Sequence, residues 1–325
     1  MRGTLMRLFS NEQHQAVLSN HKCNVKAASA YNKLLPDDSP YEITRQNVKY
    51  WRIIFGGEKV NMAKADRSLK ADRKIINPEP VTPDQVFDPN REYKRILVIP
   101  DQHCPYMHPD ALDFLVAVIA QVKPELTVNL GDETDYHALS FHDSDPNLDS
   151  AGTELEKAKV QLAKLAKIAP HQLVCDSNHG SMVFRKAKHH GIPVQALRTY
   201  REVLFPNGGG EGWHWAESWR VRTPAGEVLF KHQASGPILS DAAHNACNLM
   251  VGHSHGNFSI EYSASSAHLY WGAYSGCLID KDSYAFAYGK HSLRKPILGC
   301  TIIVNGLPHL IPMRLDHEGR WVGSL

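Results

Sequence analysis

The sequence lacks several features that mark whole classes of protein. No stretch of its 325 residues approaches the roughly 18 apolar residues that a membrane-spanning helix needs. The opening segment MRGTLMRLFSNEQHQ has no apolar core of the kind found in a signal peptide. The six cysteines show no CxxC spacing and no disulfide framework, and the chain has no internal repeat. We therefore expect a cytoplasmic protein that does not enter a membrane.

Charge and histidine content point to two possible functions. The net charge is only +2, but basic residues outnumber acidic ones over residues 1–95 and the reverse holds over residues 96–325. A basic front is typical of a segment that faces a polyanion, although a solvated surface can have the same composition. The 19 histidines are many for this length and make a metal site worth seeking.

Residues 1–55 are predicted to form a small all-α module. NVKAASAYNKLL has helical spacing, LPDDSP is a turn, and ITRQNVKYWRIIF begins a second helix at a threonine. This second helix is expected to bury four apolar residues on one face: Ile43, Val48, Trp51 and Ile54. Five polar residues are expected to point outward: Arg45, Gln46, Asn47, Lys49 and Arg52. The pair resembles a helix-turn-helix with a long turn, so we expect DNA binding through residues 1–55; a simple helical packing module is the alternative.

The remaining chain divides at a change of composition. Residues 56–94 are charged and rich in proline, which predicts a linker or an extended arm. Residues 95–325 begin with alternating apolar strands and amphipathic helices and then become rich in strands. We predict an α/β domain over 95–325, with two facing mixed β-sheets flanked by helices.

Polar residues with metal-ligand chemistry follow five of the predicted strands. These strand ends read LVIPDQH, TVNLGDETD, LVCDSNH, VLFKH and LMVGHSH. Ligands in open α/β sheets gather beyond the carboxyl ends of strands. Carboxylate, amide oxygen and imidazole together suit Mn, Fe or Zn better than Ca, and about seven ligands are enough for two ions.

These motifs, in this order, resemble the calcineurin-like metallophosphoesterase superfamily over residues 95–260. The family pattern DxH, GDxxD, GNH(D/E), H, GHxH is similar to DQH at 101–103, GDETD at 131–135, SNHG at 177–180, His232 and GHSH at 252–255. The third motif departs from the pattern, because Ser177 replaces glycine and Gly180 replaces the acidic residue. The fourth departs too, because KHQASG lacks the glycine that often follows the histidine.

The resemblance implies a two-metal site and a hydrolytic reaction. One divalent ion would take Asp101, His103, Asp132 and His255, and the other Asp132, Asn178, His232 and His253. Mn is the first expectation, with Fe, Zn or Ni as alternatives. A hydroxide bridging the ions would attack phosphorus, His179 would assist the leaving oxygen, and Asp135 would orient His179.

The substrate is less constrained than the chemistry. Arg185 and Lys186, which follow the third motif, are candidates for holding a substrate phosphate, with a solvated helix face as the alternative. The basic helical module favours phosphodiester bonds in nucleic acid, and so a nuclease. A phosphatase or phosphodiesterase that acts on a small phosphate ester or nucleotide is the second hypothesis, and a non-catalytic DNA-binding protein is the third.

Overall fold

The computed structural model describes residue 5 and residues 8–21, 23–55, 87–140, 147–266, 268–280, 282–283 and 295–325. The chain divides into two compact units, residues 1–73 and residues 74–325. Most of the predicted linker, residues 56–86, lies outside the described residues. Its last part is described: Phe87 and Tyr93 are buried, and the Tyr93 N–H donates to the Arg222 carbonyl at 2.9 Å. Residues 87–94 therefore belong to the larger unit, and Phe87 and Tyr93 pack in its core.

The described residues of the smaller unit form three helices: α1 (Asn11–Asn20), α2 (Asn24–Asn32) and α3 (Arg45–Phe55). A capping box between Ser10 and Gln13 starts α1. Thr44 and Asn47 bond reciprocally at the start of α3, where the Asn47 Oδ1 accepts from the Thr44 N–H at 2.9 Å. Tyr31, Val48 and Trp51 are fully buried in the core of this unit.

Two expectations for α3 are wrong. Arg52 does not point outward: it is 5% exposed, and its guanidinium donates to Asn24 Oδ1 and the Leu18 carbonyl, each at 2.8 Å, and to the His21 carbonyl. Ile54 is 46% exposed rather than buried. The difference arises because Ile43 precedes the helix and therefore does not set which helix face is buried. The face of α3 that turns inward carries positions 48, 51, 52 and 55. The helix-turn-helix assignment stays a prediction.

The larger unit is built on two mixed β-sheets. The six-stranded sheet has the order β11-β10-β1-β2-β3-β4 and the five-stranded sheet the order β5-β6-β7-β9-β8. The first contains β1 (Arg95–Ile99), β2 (Leu126–Asn129), β3 (His171–Cys175), β4 (Gly212–Ala216), β10 (Gly299–Val304) and β11 (Leu307–Pro312). The second contains β5 (Ser218–Thr223), β6 (Gly226–Lys231), β7 (Asn248–Val251), β8 (Phe258–Ala264) and β9 (Leu269–Ser275).

The described helices of the larger unit are α4 (Ala111–Val122), α5 (Ala151–Ile168), α6 (Met182–His189), α7 (Tyr200–Leu204) and α8 (Ile238–His244), with 3₁₀ turns at His137–Leu139 and Val194–Ala196. Of these, α4 and α5 pack on the first sheet and α8 packs on the second. Alternation along β1 shows the layers: Ile96 and Val98 pack in the cluster shared with the second sheet, whereas Leu97 and Ile99 pack in the cluster with α4 and α5. The predicted fold class, two facing mixed sheets flanked by helices, is confirmed. Among the described helices, none is long and apolar enough to cross a bilayer.

Candidate metal centre

Strand direction brings the predicted ligands together. β1, β2 and β3 run parallel in one sheet, and β6 and β7 run parallel in the other. The carboxyl end of each strand carries one of the motifs, so their side chains meet at one edge of the sandwich. Residues separated by more than 150 positions come into direct contact there, as His103 and His255 do.

The first group of ligand atoms comes from Asp101, His103, Asp132 and His255, which all lie within 4.8 Å of one another. The Nε2 atoms of His103 and His255 are 3.1 Å apart, and His255 Nε2 is 3.1 Å from Asp101 Oδ2. Three of the four residues are buried. This is the set expected for one ion.

The second group comes from Asp132, His232 and His253, again within 4.8 Å. Asn178 Oδ1 lies 2.7 Å from His232 Nε2 and 3.1 Å from His253 Nδ1, so the amide oxygen joins the group. Asp132 belongs to both groups, as the resemblance implied for a ligand that both ions share.

Hydrogen bonds on the side away from the cluster fix the orientation of His103 and His232. The Nδ1–H of His232 donates to the Leu130 carbonyl at 2.8 Å, and the Nδ1–H of His103 donates to Asp135 Oδ1 at 2.6 Å. A carbonyl or carboxylate acceptor fixes the proton on Nδ1 and leaves the Nε2 lone pair facing the site. Metal-ligating histidines are held in this way.

The donor set fits divalent cations. Asp101 Oδ1 is buried and has no hydrogen-bond partner among the described residues. Two pairs of imidazole nitrogens face each other, at 3.1 Å (His103 and His255) and at 3.2 Å (His232 and His253). Lone pairs that converge with a buried, unsatisfied carboxylate oxygen are costly without a proton or a cation between them. Mixed oxygen and nitrogen donors suit first-row transition metals.

The charges of the cluster shift its pKa values in opposite directions. Burial disfavours the ionised form of Asp132, but the charges of His232 and His179 and the bond from His103 hold the pKa of this carboxyl well below its usual range. Burial also opposes ionisation of His232, yet Asp132 raises the pKa of His232 to about 9. In the protein without metal, protons therefore neutralise part of the charge that a cation would neutralise.

Backbone strain concentrates at the same residues. His103, Asp132 and His253 adopt positive φ angles of 49°, 49° and 65°. Non-glycine residues rarely occupy this region, and such strain collects at functional sites. Gly252 is needed for another reason: a Cβ atom there would overlap Asp101 Oδ1 and lie 3.3 Å from the Leu130 Cβ.

His179 stands beside the shared carboxylate. Its main-chain N–H donates to Asp132 Oδ1 at 3.1 Å, and its Nδ1–H donates to the Asp135 carbonyl. The Asp135 carboxylate is farther away, 3.7 Å from His179 Nδ1, and makes its short bond to His103. Asp135 thus contacts His179 mainly through its main-chain carbonyl, and its expected role of orienting His179 stays a prediction.

The two residues predicted to bind substrate lie on α6. Arg185 is half-buried, and its Nη2 donates to the Asn178 carbonyl at 2.5 Å, so it supports the loop that carries Asn178 and His179. Burial lowers the pKa of Arg185, and Asp132 opposes that shift. Lys186 is also half-buried on the same helix. Phosphate binding by either residue stays a prediction.

The departures from the family motifs have local explanations. The Ser177 hydroxyl accepts from the Gly180 N–H at 3.0 Å, which closes the turn of the third motif. In the KHQASG segment, Lys231 and the Ser235 N–H both bond to Asp241 Oδ2 at 2.6 Å. Asp241, from α8, holds the segment that follows His232.

Glu133 is a residue that the sequence analysis missed. It lies inside the GDETD motif, is 2% exposed, and accepts from Trp215 Nε1 at 3.1 Å. A Cβ at Gly180 would lie 3.7 Å from Glu133 Oε1, so this carboxyl occupies the side on which an acidic residue 180 would lie. Burial raises the pKa of Glu133 to about 7. Its position in the motif was visible, but its approach to Gly180 depends on the fold.

Comparison with known proteins gives a limited result. No protein-family model matches the sequence, and no curated protein sequence does. Vps29 from Chaetomium thermophilum matches with a TM-score of 0.36 at 13% identity, covering 71% of this chain and 93% of that one. YfcE, a phosphoesterase from E. coli, matches with a TM-score of 0.34 at 11% identity, covering 70% and 96%. At such values these similarities assign neither a family nor an activity to the chain.

Proposed function

We propose that the chain is a two-metal phosphoesterase that hydrolyses phosphodiester bonds, with nucleic acid as the substrate class. The observation that carries the proposal is the buried, unpartnered Asp101 Oδ1 among converging imidazole and carboxylate donors. One ion would be held by Asp101, His103, Asp132 and His255. The other would be held by Asp132, Asn178, His232 and His253, and Mn²⁺ is the first candidate for both.

The bound cations would stabilise negative charge on the phosphoryl oxygens and lower the pKa of the attacking water. The protein's own residues position the ligands of these cations. Asp135 and the Leu130 carbonyl fix the tautomers of His103 and His232, so that both present Nε2 to the site. The glycine at 252 leaves room for Asp101 to keep its carboxylate in place.

His179 is the group best placed to move a proton. Since the Asp135 carbonyl can only accept, Nδ1 of His179 keeps its proton, and Nε2 is the nitrogen that gains or loses one. This ring is partly exposed at the rim of the cluster, with 22% of the side chain accessible. Protonated His179 would donate from Nε2 to the leaving oxygen, a role that general acids fill in comparable reactions.

The choice of nucleic acid is supported by the smaller unit. Arg45, Gln46 and Lys49 are exposed on α3, and Lys26 and Lys33 are exposed at or near α2. Basic and amide side chains of this kind bind phosphates and base edges. Tethering through such a surface would raise the local concentration of phosphodiester bonds at the metal centre.

The first test is hydrolysis of bis-p-nitrophenyl phosphate and p-nitrophenyl phosphate after EDTA treatment and addition of Mn²⁺. We expect turnover of the diester by the wild type and by the exposed control Asp113→Asn, and none by Asp132→Asn. Turnover of the diester by Asp132→Asn would refute the assignment of the centre. Preference for the monoester would instead favour a phosphatase for small phosphate esters.

The second test concerns nucleic acid. Cleavage of labelled DNA should weaken when Arg45, Gln46 and Lys49 are all replaced by alanine, and the loss should be greatest at low salt. Diester turnover should stay unchanged in this variant. Equal cleavage of DNA by the variant and the wild type would refute a role for this surface.

A further inference from the structure

A cavity of about 270 Å³ lies beside the loop that carries His179. Its walls are mostly apolar and include Tyr136, Phe184, Leu197, Tyr200 and Val203. Phe184 and Tyr200 meet edge to face, with ring centroids 4.9 Å apart at 80°. The walls are formed by α6, by α7, by the 3₁₀ turn Val194–Ala196, and by the residue that follows Asp135.

Two wall residues adjoin the segments that hold His179. The Tyr200 hydroxyl donates to the carbonyl of Gly180, the next residue after His179. Tyr136 follows Asp135, whose carbonyl accepts from His179 Nδ1. The cavity therefore adjoins the side of the centre where the proposed proton donor stands, which is the side of the leaving group.

The chemistry of the walls selects for a ring. Aromatic side chains bind planar rings by stacking and edge-to-face contact, and such contacts tolerate different rings because every ring has a π-face. Arg198 is exposed at the wall and is the charged residue that lines the cavity. A guanidinium there can stack on a ring or bind a phosphate beside it.

We propose that this cavity binds a planar aromatic ring carried by the leaving group of the phosphoester, such as a nucleobase. This inference rests on the proposed function, because it takes His179 as the residue that faces the leaving oxygen. It adds a specificity site formed by residues outside the metal centre.

The kinetic test compares dinucleotides that differ by one base. An abasic sugar is placed on one side of the scissile phosphate and then on the other, so that the leaving oxygen keeps the same chemistry. We expect kcat/KM to fall about 5- to 150-fold when the base is removed from the leaving side, the range that base stacking supports. Equal rates for all three substrates would overturn the proposal.

Filling the cavity should remove this preference. Ala196 lines the cavity, so Ala196→Phe should reduce the ratio between the base-bearing and abasic substrates to near one. Ala163→Phe, on an exposed face of α5, is the matched control and should keep the wild-type ratio. Val203→Phe fills the same cavity from another wall. Turnover of the abasic substrate shows that each variant is folded, and wild-type ratios in both cavity variants would refute the proposal.

A binding test separates this proposal from the proposed function. Saturation-transfer NMR with metal-stripped protein would use thymidine, phenyl phosphate and 2-deoxyribose as probes. Transfer to the rings of the first two, lost in Ala196→Phe and kept in Ala163→Phe, supports the cavity even if no diester is hydrolysed. Transfer to thymidine alone would identify a nucleobase as the ring. Hydrolysis without ring binding would refute the cavity and leave the phosphoesterase standing.

Discussion

Gly252→Ala adds a single methyl group at the metal centre. The new Cβ would overlap Asp101 Oδ1 and would lie 3.3 Å from both Asp101 Cγ and Leu130 Cβ. Asp101 is fully buried, and its Oδ2 already accepts from the His253 N–H at 2.8 Å. The carboxylate can make room only by rotating away from these contacts, so the cost falls on the ligand itself.

Overpacking of this kind costs about 1–3 kcal/mol. If the cost falls on the metal-bound state, Mn²⁺ affinity should drop about 5- to 150-fold. The φ angle of Gly252 is not positive, so alanine adds no backbone strain and the effect isolates the collision.

Calorimetric titration of EDTA-treated protein with Mn²⁺ measures this loss. Gly236→Ala is the matched control, because a Cβ at Gly236 meets nothing within 4 Å and the residue lies in the segment after His232. Wild-type Mn²⁺ affinity in Gly252→Ala would refute the reasoning that the Asp101 carboxylate is a ligand held against this glycine. An equal loss in both variants would refute it too.

Three further predictions concern proton transfer, metal uptake and the smaller unit. His179→Gln should lower kcat about 10²- to 10⁴-fold while elemental analysis finds unchanged metal content; loss of the metal would contradict a proton-donor role. Mn²⁺ affinity should rise with pH up to about 9, because the raised pKa of His232 lets protons compete for Nε2. The raised pKa of His232 also stabilises the metal-free fold below pH 6.5, and this stabilisation is lost as pH rises through 9. A Mn²⁺ affinity that is flat from pH 7 to 9 would refute the competition between protons and the metal. Arg52→Met should destabilise the smaller unit by about 3 kcal/mol or more, because it removes bonds from a charged donor to one buried and two part-buried acceptors. Hydrogen exchange of residues 11–55 in the full chain should show this loss in Arg52→Met and not in the exposed control Lys49→Met.

Local patterns in the sequence were enough to predict the layers of the larger unit. Short apolar strands such as RILVI and LTVN alternate with amphipathic helices, and each of them is followed by polar residues. The carboxyl ends of parallel strands share an edge, so the order of elements already implied that Asp101, Asp132 and Asn178 would converge. The structure confirms the predicted class of two facing mixed sheets.

Local patterns failed where helix phase decides burial. The spacing of α3 allowed Ile54 or Arg52 to face the core, and the apolar pattern predicted Ile54. Arg52 donates to acceptors on α1, at the end of α1 and on α2, and these bonds make its burial favourable. The sequence of α3 alone does not reveal these acceptors. The structure buries Arg52 against α1 and α2 and leaves Ile54 exposed.

The sequence by itself determined which residue types stand at the strand ends, because each strand is an apolar run that ends where these polar residues begin. Only the tertiary structure decided their partners. The Asp135 carboxylate pairs with His103, Glu133 approaches Gly180, and Gly252 gives room to Asp101. These contacts join residues on different strands and loops, so they depend on strand order and on the direction of each side chain rather than on spacing.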